Sequence, residues 1–198
     1  ELLVPELADL VKARGLKLKL VPTSQQIEAA IAKADLSIAS PNDVPQIDLA
    51  LDGADQVEAQ TLNLIKGGGA ALTRGKVVDC AAKKLIIVVD ERKLARKLGS
   101  AQPVPVEVIP FAHRLVIGRL AELGGMAQLR CSEGSTPVVT DKGNFVIDVG
   151  FGPIEDTHKL DSRLKSIPGL VETGLFLDLT YRVHVGLRDV KVKVLETD

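Results

Sequence analysis

Two periods of apolar residues alternate along this chain. Leu7, Leu10 and Val11 recur at the spacing of one helix face within residues 5–14, and Gly15 follows where a C-cap glycine would sit. Residues 16–21 alternate leucine or valine with lysine, a strand pattern. Thr23 or Ser24 is placed to cap a helix over 25–34. A short strand over 36–39 then runs into the turn at Pro41-Asn42-Asp43. Apolar runs at 47–51 and 62–65 have strand length, and a helix is predicted over about 70–83. Residues 85–89, LIIVV, are continuous and β-branched, the pattern of a strand buried on both faces. A further helix is predicted from the charged residues after it to Leu98.

Gln102-Pro103-Val104-Pro105 breaks this alternation. Beyond it the pattern predicts a strand at 106–109, a helix at 111–123, and strands at 127–131 and from 138. A hairpin turn at Asp141-Lys142-Gly143-Asn144 leads into a strand at 145–149, followed by a helix at 158–165 and a strand at 170–172. That order resembles a split βαβ unit of ferredoxin type. Strands within 175–195, turning at Arg188-Asp189, return to the first unit. The expected fold class is α/β: a doubly wound, mostly parallel sheet built from 1–104 and 175–198, with a smaller ferredoxin-like α+β domain, 105–174, inserted.

Candidate chemistry concentrates in 47–76. The first apolar run stops at Asp52-Gly53-Ala54-Asp55 and the second at Lys66-Gly67-Gly68-Gly69, so fixed charge twice follows a strand. Two carboxylates this close oppose each other's ionisation unless a cation or ligand shares the space, and Lys66 is such a cation. Three glycines let the main chain approach a ligand with its N–H groups, and the following helix points its N-terminus the same way. Taken singly, DGxD is also a solvated turn and GGG a hinge. Together they describe a polyol or phosphate site.

Composition narrows the alternatives. A formal net charge of -1 indicates no general attraction to nucleic acid or acidic membrane, and 3% aromatic content argues against base-stacking surfaces. No apolar run reaches the ~18 residues of a membrane span. Cys80 and Cys131 lie far apart without a CxxC, which fits two buried thiols in a reducing compartment, the cytoplasm or an organelle interior. His113, His158 and His184 are equally scattered, so no metal site is expected. Gly75-Lys76 fails as a phosphate P-loop because Ala70 and Val77 occupy the flanking positions. Leu72 likewise breaks a dinucleotide fingerprint at 67–69.

DGAD, NLIKGGG and ALTRxK, with 85–93, 105–110, 139–144 and 167–176 in collinear order, resemble the type A ribose-5-phosphate isomerase family over nearly the whole chain. The resemblance implies ribose 5-phosphate and ribulose 5-phosphate exchanging through an enediol(ate), without metal or organic cofactor. It places Asp52 and Asp55 on the sugar hydroxyls and ring opening, with Gly53 and Ala54 beside them. It places Lys66 at the developing oxyanion, and Lys93 with Gly67, Gly68 and Gly69 near the phosphate. It also implies a phosphorylated pentose as ligand and a homodimer or homotetramer. Two features depart from the family. Gly75 stands where the family carries the glutamate credited as the base, and the family's amino-terminal phosphate loop has no counterpart from Glu1 onward, so it lies upstream or is absent. Either Asp55 or another carboxylate takes over the base role, or the protein is a non-catalytic subunit of a larger assembly.

Overall fold

The computed structural model describes residues 3–196; the outermost ends of the two segments assigned to the first domain, 1–2 and 197–198, lie outside them. In chain order the elements are α1 (Leu3–Arg14), α2 (Gln25–Lys33), β1 (Ala50–Asp52), β2 (Gln56–Glu58), β3 (Leu64–Ile65), α3 (Leu72–Ala81), β4 (Leu85–Asp90) and β5 (Leu94–Ala95). They continue with β6 (Val104–Val108), α4 (His113–Glu122), β7 (Met126–Leu129), β8 (Phe145–Gly150), α5 (Thr157–Lys165), β9 (Leu170–Thr173), β10 (Leu175–Phe176), β11 (Thr180–Gly186) and β12 (Val192–Glu196).

Among the described residues three four-stranded sheets form. The first has the order β1-β4-β11-β12, parallel from β1 through β11 with β12 antiparallel at the edge. Its central strand β4 departs from the sequence expectation. Leu85, Ile87 and Val89 are buried, but Val88 is 42% exposed, so the strand alternates rather than burying both faces. The second sheet, β10-β3-β2-β5, is small. Here β2 and β3 form an antiparallel pair, so the two apolar runs around Asp52 and Lys66 belong to different sheets. The third sheet, β7-β8-β6-β9, is antiparallel throughout and carries α4 and α5. Its βαββαβ order is the ferredoxin-like arrangement.

Three expected elements shrink. The lysine-alternating segment 16–21 and its partner 36–39 meet at one isolated parallel bridge, Leu20 to Ile38, and Leu16 and Leu18 stay exposed. The helix expected up to Leu98 is a single 3-10 turn, Glu91–Lys93. It is capped by the Asp90 side chain, after which β5 pairs with β2 instead.

Polar side chains join α3 to the ferredoxin-like sheet. Glu107, 1% exposed within β6, accepts from Thr73 Oγ1 of α3 at 2.5 Å, and from Thr140 Oγ1 and Asn144 Nδ2 at 2.8 Å each. Lys76 of α3 reaches β9, donating to Glu172 Oε1 at 2.8 Å and to the Thr173 carbonyl at 2.6 Å. Burial holds the Lys76 ammonium below its ordinary pKa, although Glu172 pulls it back up. Truncating Glu107 to alanine strands three donors, and a buried donor without an acceptor costs about 1–3 kcal/mol. Glu107→Ala is expected to destabilise by on the order of 3 kcal/mol, read as a lower urea midpoint at unchanged slope; a midpoint equal to the parent's would show that this network does not hold α3 in place.

Candidate active site

The carboxyl end of β1, the end of β3 and the start of α3 meet at one hollow of about 310 Å³. Asp52, Gly53, Ala54, Asp55, Lys66, Gly67, Gly68, Gly69 and Gly75 all line it, so the residues singled out in 47–76 do converge. Lys93 does not line it; it sits half-buried in the 3-10 turn after β4. Thr23 and Ser24, at the N-terminus of α2, and Phe176 of β10 also line the hollow.

Lys66 is the centre of this arrangement. Its side chain is 8% exposed, and its ammonium donates to the Gly53 carbonyl at 2.5 Å and pairs with Asp52 Oδ2 at 2.7 Å. Asp79 Oδ2 lies 3.6 Å away, just beyond hydrogen-bond distance. The ammonium also sits 5.3 Å from the centroid of the Phe176 ring, while Lys76 Nζ lies 4.7 Å from the same centroid. A buried ammonium needs oxygens around it, and the turn after β1 supplies them. The other Asp52 oxygen is taken by the Gly53 amide at 2.7 Å.

Asp55 is held by the glycine run. Its Oδ2 accepts from the Gly68 amide at 2.7 Å, and a Cβ at position 68 would fall 2.7 Å from Asp55 Oδ1, so any side chain there would push the Asp55 carboxylate out of this position. Gly67 has φ +119, a conformation that L side chains rarely adopt. Arg130, just after β7, grips this loop from outside, donating to the carbonyls of Gly67 at 2.7 Å and Gly68 at 3.0 Å. Asp148 of β8 orients its guanidinium through two bonds of 2.8 and 2.5 Å. The N-cap of α3, Ala71, makes no side-chain cap, so its first-turn amides lack intrahelical partners beside the hollow.

Sequence reasoning missed Arg130, Asp148 and Asp79. The first two meet across strands with no local motif to mark them. Asp79 carried one signal, a lone carboxylate next to Val78 on the buried side of α3; Cys80 and Cys131 are both exposed, against the expectation that they are buried. Burial pushes its carboxyl from 3.8 up to about 7; Lys66 opposes that rise and Asp52 adds to it. Gly75 lies one turn before it, and a Cβ there would meet only Asp52 Oδ2, at 3.9 Å, so no close packing demands a glycine. Among the described residues no group of three or more His, Cys, Asp or Glu is placed to hold a metal ion, and no helix is long and apolar enough to cross a membrane.

Residues 19–190 match the family model of ribose 5-phosphate isomerase A (phosphoriboisomerase A). The ribose-5-phosphate isomerase A of Thermomicrobium roseum is 43% identical over 182 residues, which cover 92% of this chain and 76% of that protein. The structure of ribose 5-phosphate isomerase A from Methanocaldococcus jannaschii superposes with a TM-score of 0.93 at 40% identity, covering 98% of this chain and 85% of that one. A D-ribose-5-phosphate isomerase in complex with phospho-erythronic acid gives a TM-score of 0.93 at 42% identity, covering 98% and 84%. With the family model spanning most of its length and relatives above 40% identity, the chain belongs to the ribose 5-phosphate isomerase A family.

Proposed function

We propose that this protein interconverts ribose 5-phosphate and ribulose 5-phosphate, and that the hollow at Lys66 is where the proton moves between adjacent sugar carbons. The observation that carries this reading is the convergence of Asp52, Asp55, Lys66 and the glycine run on one space. The reaction develops negative charge on a sugar oxygen as a carbon-bound proton leaves. Lys66 answers that charge. Two of its three N–H donors are committed to Gly53 and Asp52, which fix the ammonium before substrate arrives, and a third remains for a sugar oxygen. Asp52 and Asp55 accept from sugar hydroxyls through lone pairs that their backbone donors leave over. The phosphate end lies toward the glycine run and the open first turn of α3.

Position 75 offers no side chain for the proton transfer, so Asp55 takes the proton from carbon in this chain. Asp55 is held within the glycine run rather than presented on a free side chain, and turnover is accordingly slower than a dedicated base would allow. The non-catalytic alternative is not favoured, because the matched relatives carry the isomerase name.

A coupled assay with ribose 5-phosphate is expected to show turnover above a no-protein blank; turnover equal to the blank removes the reading. Lys66→Met is expected to lower kcat by at least ~10²-fold, by loss of the charge facing the oxyanion. Gly75→Glu places a carboxylate in uncrowded space beside Asp52 and is expected to raise kcat by roughly 10²-fold or more. An unchanged kcat in that variant would show that position 75 does not face the reacting carbon.

A further inference from the structure

Every carboxylate in the wall of the hollow is committed to a backbone amide or an ammonium; the carboxyl just behind the wall is not. Asp52 accepts from Gly53 and Lys66, and Asp55 accepts from Gly68. Asp79 is different. Its side chain is fully buried, neither oxygen accepts a hydrogen bond, and the nearest charge is Lys66 Nζ at 3.6 Å from Oδ2. Side chains on a helix lean toward its N-terminus, so the Asp79 carboxyl leans over the turn that begins at Gly75. Gly75 itself lines the hollow without a side chain, which leaves Lys66 and the bare backbone of that turn between Asp79 and the substrate space.

Resting on the isomerase reading, we propose that Asp79 is a positioning residue that acts through Lys66: it holds a proton behind the ammonium and returns it each time Lys66 protonates the sugar oxygen. In the forward half, an Nζ–H of Lys66 passes its proton to the enediolate oxygen, leaving a neutral amine. The Asp79 carboxylic acid then passes its proton to Nζ, leaving a carboxylate. In the second half the ammonium first returns a proton to the Asp79 carboxylate, restoring the acid, and the neutral amine so formed takes the proton of the neighbouring sugar hydroxyl, restoring the ammonium. No proton is gained or lost and no electrons change hands. A buried carboxyl without donors is held neutral by desolvation, which is the state this role needs. The charged groups acting on it are Lys66, from the end of β3, which favours its ionisation, and Asp52, from β1, which opposes it. With its pKa pushed up to about 7, the acid is present below neutral pH and is lost as pH rises through that value.

The test is the pH profile of kcat and kcat/KM for the parent protein, Asp79→Asn and Asp79→Glu between pH 5 and 9. The parent is expected to show a descending limb in kcat centred near pH 7. In Asp79→Asn that limb disappears and kcat at pH 6 falls about tenfold or more with KM little changed, while Asp79→Glu retains a limb. Thermal unfolding supplies a readout free of catalysis. A carboxyl with a raised folded pKa contributes stability below its unfolded value and loses it as pH rises to the folded one. The melting temperature of Asp79→Asn relative to the parent should therefore rise from pH 5 to pH 8. A parent profile without a limb near 7, or an Asp79→Asn profile superposable on it, overturns the proposal while leaving the isomerase reading in place. A parent protein with no turnover at any pH overturns the isomerase reading, and this proposal with it.

Discussion

An ammonium taken out of water has to be met by oxygen, and that constraint organises this protein. Lys66 is nearly buried, so its charge is tolerable only with the Gly53 carbonyl and the Asp52 carboxylate already in place. Those two oxygens come from the turn that ends β1, and the lysine comes from the end of β3 in another sheet. One ion pair therefore fixes two sheets relative to each other at the point where the hollow opens. Removing either partner would leave the other charge uncompensated, a far larger penalty than losing an exposed pair.

The ferredoxin-like unit serves this arrangement through polar contacts. Glu107 and the Lys76–Glu172 pair fasten α3, and the Arg130–Asp148 pair fastens the glycine run. Buried polar networks are directional, so they specify one placement where an apolar contact would tolerate several. Phe176 supplies the complementary apolar surface, a fully buried ring facing both Lys66 and Lys76. Helix position, loop conformation and lysine position are thus set by the same few side chains.

How much of this was legible beforehand depended on the range of each interaction. Asp52, Asp55, Lys66 and the three glycines were readable because they flank one short hairpin, so sequence neighbours became spatial neighbours. The ferredoxin-like order was readable because its strands and helices alternate with clear turn signals. The lysine-alternating segment 16–21 misled because alternation reports one covered face, and only one bridge to Ile38 forms there. The charged stretch after β4 misled because Asp90 does cap a turn, but pairing of Leu94 with Val57 ends it at once. Arg130 acts through a partner 63 positions away, and no local pattern marks such a contact, while Asp79 showed only as a lone carboxylate beside Val78 in α3.

In the proposed reaction Lys66 faces a sugar oxygen inside this hollow. A crystal structure of the protein soaked with ribose 5-phosphate tests that most directly. The sugar is expected with an oxygen within hydrogen-bond distance of Lys66 Nζ, its hydroxyls toward Asp52 and Asp55, and its phosphate toward Gly67, Gly68 and Gly69. Sugar bound elsewhere, or bound there with Lys66 turned away from it, would contradict the account.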